Sequence, residues 1–132
     1  FFDTERTLFS CVGIYTALLK NIKLNVNAMY QAAGEGYSTA TDVADYLARR
    51  GVPFRDAHAI TGKLVRYCIG KKKPLSSLTL REFRLHSDVF AKDILEAVTV
   101  RASAEGRNSV GGSSTTAAKN GLKSIQKRLK KY

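Results

Sequence analysis

Residues 40–70 read ATDVADYLARRGVPFRDAHAITGKLVRYCIG, and this stretch decides the fold class. Apolar residues recur every three or four positions on both sides of Gly51, a spacing typical of amphipathic helices. Pro53 favours an extended Val52 and suits the first turn of a new helix. The stretch therefore predicts a helix, capped by Thr39 or Thr41, then a bend and a second helix that stops at Gly70. The apolar positions are Val43, Ala44, Tyr46, Leu47, Ala57, Ile60, Leu64, Val65, Cys68 and Ile69.

The segment before this unit carries more apolar surface than a lone surface helix needs. One stripe follows steps of four and three residues, which place its members on one helix face. Further apolar residues broaden the stripe, so we expect this helix to pack in a bundle with other segments or other subunits. The stretch from Asn25 to Gly36 is rich in turn residues and predicts a connection. The stripe is Leu8, Val12, Tyr15, Leu19 and Ile22, broadened by Phe9, Ile14, Ala17 and Leu18.

Three further helices are predicted after the unit. Thr79 and Glu82 have capping-box spacing and begin a short helix, and residues 87–88 are expected to cap the next one. Residues 98–100 are the best strand candidate, but three residues cannot define a sheet. Residues 102–116 are turn-rich and lead into a final helix. The apolar residues of these helices are Leu80 and Phe83, then Phe90, Ile94, Leu95 and Val98, and finally Ala118, Leu122, Ile125 and Leu129.

Composition limits the class of protein. The chain has 132 residues, of which 44% are hydrophobic and 25% charged, as in one small globular domain. No apolar run is long enough for a membrane span, and no signal peptide is recognisable. Cys11 and Cys68 lie inside helical apolar patterns, so they are expected to be reduced thiols in a reducing, cytoplasmic setting. The lack of an initiator Met and the abrupt apolar start predict a piece of a longer chain.

The formal charge of +11 comes from two segments. Residues 63–73 and 113–132 contain no acid, and elsewhere basic and acidic residues are equal in number. Solvated helix faces explain both segments, and a surface for nucleic acid or an acidic partner is the alternative. No aromatic platform interleaves with these lysines, and no nucleic-acid-binding motif is present, so this pattern disfavours nucleic-acid binding. The basic residues are Lys63, Arg66, Lys71, Lys72 and Lys73, then Lys119, Lys123, Lys127, Arg128, Lys130 and Lys131.

The sequence offers no complete set of catalytic groups. His58 and His86 lie on different predicted helices without neighbouring ligands at metal-binding spacing, so no metal site is predicted. We expect His58 to be a hydrogen-bonded structural residue, His86 an exposed helix-end residue and Cys68 a core residue. The glycines 111–112 and the hydroxyl residues after them suit a helix N-cap better than a phosphate loop. No catalytic residue and no cofactor is predicted, so the chain alone should not be an enzyme.

Several stretches resemble the C-terminal domain of the argininosuccinate lyase family. The most specific are residues 40–47, ATDVADYL, and residues 51–58, GVPFRDAH. In the same order, residues 8–22 resemble the last long helix before that domain, and residues 78–90 resemble its leucine-x-x-leucine segment that is followed by a serine. Residues 107–112, RNSVGG, resemble its arginine-asparagine-serine-x-glycine-glycine turn. The final helix resembles the family only in its position and its basic amphipathic character.

The resemblance implies an all-α architecture: residues 1–24 as the end of a long bundle helix and residues 25–132 as a small multi-helix C-terminal domain. It further implies a homotetramer whose central bundle is shared among four chains. The full enzyme would split argininosuccinate into arginine and fumarate by β-elimination, in arginine biosynthesis, without a metal or organic cofactor. The partners would be the rest of the lyase chain and the other subunits.

Departures from the family pattern limit what is carried over. The argininosuccinate lyase family is part of the fumarase and aspartase superfamily. The catalytic glycine-serine-serine-x-methionine-proline-x-lysine loop of that superfamily is absent, since residues 112–116 read GSSTT and belong to the C-terminal turn, and its threonine-histidine segment is missing too. Catalytic roles are therefore assigned to no residue, and a different lyase of the superfamily stays an alternative, beside a standalone basic binding module. Structural roles at the helix junction and the glycine turn are expected for Asp42, Asp45, Arg55, His58, Arg107, Asn108, Ser109, Gly111 and Gly112.

Overall fold

A computed structural model of the chain describes residues 1–131 and contains helices without any strand in that range. This confirms the predicted all-α class. One turn of 3₁₀ helix spans Leu75–Ser77. The α-helices are α1 (Phe2–Asn21), α2 (Val26–Gly34), α3 (Ala40–Arg49), α4 (Phe54–Lys71), α5 (Leu80–Arg84), α6 (Ile94–Ala97), α7 (Val100–Glu105) and α8 (Thr115–Leu129).

The core lies between α3 and α4 and the segments that fold over them. Gly51 turns the chain between the two helices with a φ of 87°, a conformation that other residues adopt at a cost. The predicted helix, bend and helix are thus confirmed. Phe83 and Phe90 close the core with ring centroids 5.2 Å apart, which is a favourable aromatic separation. The core cluster is Val43, Tyr46, Leu47, Ala57, Leu64, Cys68, Leu75, Leu78, Phe83, Phe90, Ile94 and Val98.

The start of α5 agrees with the sequence prediction, whereas the end of α4 does not. The capping box is confirmed: the Thr79 hydroxyl accepts from the Glu82 amide, and the Glu82 carboxylate accepts from the Thr79 amide. The predicted stop at Gly70 was early, because α4 continues to Lys71 and Lys72 takes the left-handed conformation, with a φ of 52°. At that end the amide of Lys73 donates to the Cys68 carbonyl, which closes the helix.

The predicted connection between Asn25 and Gly36 was wrong, because most of it forms α2. The turn-prone Asn25 acts as the N-cap, and its side chain accepts a hydrogen bond from the Ala28 amide at 3.1 Å. The same residue type therefore began a helix instead of a loop. At the other end, Tyr37 has a φ of 58° and leads into α3, where Thr39 occupies the N-cap position without a side-chain cap bond.

The prediction that residues 87–88 begin a helix was also wrong. The Ser87 hydroxyl accepts from the Val89 amide, which makes a local turn, and α6 begins only at Ile94. Phe90 is fully buried from this irregular segment, so its burial does not require a helix. The strand candidate at residues 98–100 instead joins two helices, since Val98 is the C-cap of α6 and Val100 begins α7. Thr99 is the N-cap of α7, and its hydroxyl accepts from the Ala102 amide.

The first and last helices, like α2 and α7, contribute no residue to the core cluster. No residue of α1 is buried, and in α8 only Ala117 is buried. The side chains of Leu8, Val12 and Leu19 are each more than half exposed. The two ends of the chain therefore present apolar surface that residues 1–131 leave uncovered.

Candidate functional site

Arg107 ties the C-terminal turn to the start of α3. Its guanidinium donates to an Asp42 carboxylate oxygen at 2.8 Å and lies 3.9 Å from an Asp45 oxygen. Asp42 and Asp45 lie one turn apart on α3, so one arginine can reach both. The Asp42 side chain is only 15% exposed, and its second carboxylate oxygen is buried without a hydrogen-bond partner. The cluster is a structural link between sequence-distant segments.

The turn at residues 107–114 has a tightly closed backbone. The Gly112 amide donates to the Ser109 carbonyl at 2.8 Å, and the Ser114 amide donates to the Arg107 carbonyl at 3.2 Å. Gly111 has a φ of 81°, and a Cβ on Gly112 would lie 2.1 Å from the Arg107 carbonyl oxygen. Both glycines are therefore required by the geometry, one by its conformation and one by close approach.

The turn delivers the chain into α8 through a complete N-cap. Ser114 is fully buried, and its hydroxyl accepts from the Ala117 amide at 3.1 Å. Glu105 at the end of α7 accepts from both the amide and the hydroxyl of Thr115. The bond from the Thr115 hydroxyl, followed by the bond from the Thr115 amide, lowers the pKa of the Glu105 carboxyl. The glycine and hydroxyl residues thus act as a helix N-cap, as expected from the sequence.

A pocket of about 230 Å³ lies beside the Arg107 cluster. Two carboxylates, from Asp42 and Asp45, and two guanidinium groups, from Arg49 and Arg107, line it together with Tyr46. The Asp42 carboxylate accepts a hydrogen bond from Arg107. The lining contains no nucleophile with an adjacent base. The arrangement can hold charge in place, and it lacks the paired groups that general acid–base catalysis needs.

A second charged cluster, which the sequence analysis did not find, joins α3 to the segment before α6. The Tyr46 hydroxyl donates to Asp93 at 2.7 Å, and the Arg50 guanidinium donates to the other Asp93 oxygen at 2.7 Å. The guanidinium also lies 3.9 Å above the Tyr46 ring. Burial and the bond to Asp93 raise the pKa of Tyr46, whereas the bonds from Tyr46 and Arg50 lower the pKa of Asp93. Only the spacing of Tyr46 and Arg50, one helical turn, was visible in the sequence.

Glu82 is the centre of a third cluster. It accepts from Thr79 and also from Lys73 at 3.1 Å and the Tyr67 hydroxyl at 3.2 Å. The Thr79 backbone bond, followed by the Lys73 bond, lowers the pKa of Glu82 to about 2. Lys73 is therefore paired, although the sequence analysis placed it in a solvated basic face.

The histidines lie differently from the sequence expectations. His58 and Arg55 are exposed, and neither side chain forms a hydrogen bond or an ion pair with the rest of residues 1–131. The His58 ring lies beside the Phe54 ring, with 6.4 Å between the ring centroids. The hydrogen-bonded histidine expected from the sequence is therefore not observed. His86, expected to be exposed, is half-buried, and its Nε2 has no hydrogen-bond partner. Its ring and the Tyr67 ring are T-shaped, with 5.4 Å between centroids. Burial, then Lys63, lowers the pKa of His86.

The cysteines and possible metal ligands give no reaction centre. Cys68 is fully buried and burial raises its pKa, which keeps it a thiol, whereas Cys11 is exposed on α1. No group of three or more metal-ligating side chains occurs in the described part of the chain. Among the helices of residues 1–131, none has the length and hydropathy that a membrane span requires.

The most extensive candidate interaction surface is the apolar face of α1. It contains bulky side chains along the whole helix, and none of them is buried against residues 1–131. Burial of such side chains in another protein surface would release about 1.5–3 kcal/mol each. The exposed members are Leu8, Phe9, Val12, Ile14, Tyr15, Leu18, Leu19 and Ile22.

Sequence comparison identifies relatives of the whole chain. The argininosuccinate lyase C-terminal family matches residues 37–105. The chain is 46% identical to an argininosuccinate lyase of Citrifermentans bemidjiense over 111 residues, which are 84% of this chain and 24% of the relative. It is 40% identical to an argininosuccinate lyase of Syntrophotalea carbinolica over 131 residues, which are 98% of this chain and 28% of the relative. The chain spans about a quarter of the length of these curated relatives.

Structural comparison agrees with the sequence relatives. An EDDS lyase variant with bound fumarate superposes with a TM-score of 0.71 and 28% sequence identity, over 78% of this chain and 22% of that chain. The match covers most of an all-α domain built around α3 and α4. The resemblance seen in residues 40–58 is thereby confirmed. The chain belongs to the argininosuccinate lyase C-terminal family.

Proposed function

We propose that the chain is the C-terminal domain of an argininosuccinate lyase that cleaves argininosuccinate to arginine and fumarate in arginine biosynthesis. The observation that carries the proposal is the 46% identity to an argininosuccinate lyase, confined to 24% of that relative. The identity to the EDDS lyase variant is lower, at 28%, so argininosuccinate is favoured over that substrate. The chemistry belongs to the three quarters of the relatives that this chain does not match.

The domain's own role in this proposal is structural. Residues 1–24 form the end of a central bundle helix, and residues 25–132 form the domain that packs at the end of the bundle. The uncovered apolar face of α1 supports this division, since bundle helices bury several faces at once. In the complete enzyme, α1 packs against the rest of its own chain and against other subunits of a homotetramer.

The cytoplasm is the proposed location. The exposed Cys11 and buried Cys68 are both free thiols, which suits a reducing compartment.

The domain is proposed to cover part of the substrate cleft, where the exposed Lys63 and Arg66 of α4 contribute positive potential toward a tricarboxylate.

The assay that tests this proposal measures fumarate release from argininosuccinate, by absorbance, with the purified chain. No turnover is expected, because the described residues lack a base with a partnered nucleophile or substrate site. Light scattering of the same sample is expected to show self-association through α1. The matched variant Val12→Gln/Leu19→Gln should be monomeric with unchanged circular dichroism of the folded domain. Turnover by the chain alone, or self-association that persists in the variant, would contradict the proposed division of roles.

A further inference from the structure

Helix α8 carries a narrow apolar seam that no part of residues 1–131 covers. Ala118, Leu122, Ile125 and Leu129 follow steps of four, three and four, which place them on one side of the helix. Leu122, Ile125 and Leu129 are 60%, 54% and 69% exposed. This spacing is that of the a and d positions in helix–helix packing, where each side chain fits between residues of a facing helix.

All charged residues of α8 are basic. Its Lys119, Lys123 and Lys127 follow one another at intervals of four, a spacing at which like charges repel and destabilise a helix. No acidic residue lies between 113 and 132 to offset them. Beyond the N-cap and Ala117 no residue of the helix is buried, and an isolated helix of this length is marginal in water. A partner with negative charge beside an apolar surface would both relieve the repulsion between the lysines and cover the seam.

Charge and composition distinguish three surfaces that could cover α8: a second copy of α8, a lipid surface and a helix of a partner. A second α8 would bring more cations and no acid, so self-pairing is disfavoured. A lipid surface suits a broad apolar face with several aromatic anchors, whereas this seam is narrow and the sequence has one aromatic residue after position 115, Tyr132. Lys119 and Arg128 flank the seam on its two sides, as e and g residues do in paired helices.

We infer that α8 is a docking helix for an acidic amphipathic helix, whose apolar residues fit the 118–129 seam and whose flanking Asp or Glu side chains face Lys119 and Arg128. The inference stands on the seam, the exposure and the charge of α8, and it does not depend on lyase activity.

The test measures fluorescence anisotropy of labelled helical peptides titrated with the complete 132-residue chain. One peptide has Leu at a and d positions and Glu at the flanking positions, and its control carries Lys at the flanks. We expect the Glu peptide to bind at least about tenfold more tightly than the Lys peptide, with affinity that falls as salt rises. Equal binding of the two peptides would overturn the inference.

Variants identify α8 as the binding surface. Leu122→Gln/Ile125→Gln should weaken binding of the Glu peptide at least about tenfold, since two aliphatic contacts are lost. Both positions are exposed, so the substitutions should leave the fold intact, and circular dichroism checks this. Lys119→Glu/Arg128→Glu should reverse the preference toward the Lys peptide, whereas Val12→Gln/Leu19→Gln on α1 should retain it. Unchanged binding by the α8 seam variant, or α8-dependent binding only to phosphatidylserine vesicles or to second copies of the chain, would overturn the inference.

Discussion

The Arg107 guanidinium lies 2.8 Å from an Asp42 carboxylate oxygen, across 65 residues of sequence. This bond joins the C-terminal turn to the first turn of α3, and the other Asp42 oxygen is buried without a partner. Removing the arginine would therefore leave a largely buried carboxylate with no hydrogen-bond donor, the situation in which a lost bond is most costly.

Arg107→Ala is expected to lower the free energy of unfolding by about 1–3 kcal/mol, because Asp42 keeps its desolvation without compensation. Urea unfolding followed by circular dichroism measures the change. Arg55→Ala is the matched control, since Arg55 is exposed without a side-chain bond and should have little effect. Equal effects of the two substitutions would show that the Arg107 bond contributes nothing specific.

Gly112→Ala should destabilise the domain more than a typical glycine substitution, because the new Cβ would lie 2.1 Å from a backbone oxygen. The turn would have to open, with loss of the Ser109 and Arg107 carbonyl bonds that close it. Gly62→Ala, inside α4 with open space around the new Cβ, should instead stabilise the domain by about 0.5–1 kcal/mol. Thermal unfolding of the two variants gives the comparison, and a neutral Gly112→Ala would refute the close approach.

Glu82 predicts a loss of stability in acid. Its folded pKa is lowered to about 2 from an ordinary 4.5, so its contribution is present above about pH 4.5 and is lost as the pH falls toward 2. The difference in melting temperature between the native chain and Glu82→Gln should therefore shrink across this window. A difference that stays constant with pH would mean that the Lys73 and Thr79 bonds do not hold the ionised carboxylate.

The pKa of His86 is shifted in the direction opposite to that of a histidine in a salt bridge, whose pKa is raised. Burial and Lys63 lower its pKa from the ordinary 6.5, so the folded state disfavours the proton. Stability should be complete above about pH 6.5 and should fall as the pH decreases below it, toward the folded pKa. Histidine proton resonances in an NMR titration measure this pKa directly, and Lys63→Gln should raise it. A value at or above 6.5 would contradict the buried environment.

The helical class, the α3–α4 unit and the capping box could be predicted because they follow from local periodicity and cap spacing. The paths of residues 25–36 and 86–100 could not, since Asn25 and Ser87 suit both turns and helix caps, and only tertiary context decides between them. The sequence resemblance singled out Arg107 and both glycines. The Tyr46–Arg50–Asp93 cluster was missed because its members lie in different elements.

A chimaera tests whether this chain is the C-terminal domain of an argininosuccinate lyase. Residues 1–132 would replace the matching quarter of the Citrifermentans bemidjiense enzyme, and fumarate release from argininosuccinate would be measured. We expect turnover in the chimaera, and none in the same enzyme with that quarter deleted. A well-folded chimaera without turnover, or full activity after the deletion, would show that the chain does not have this role.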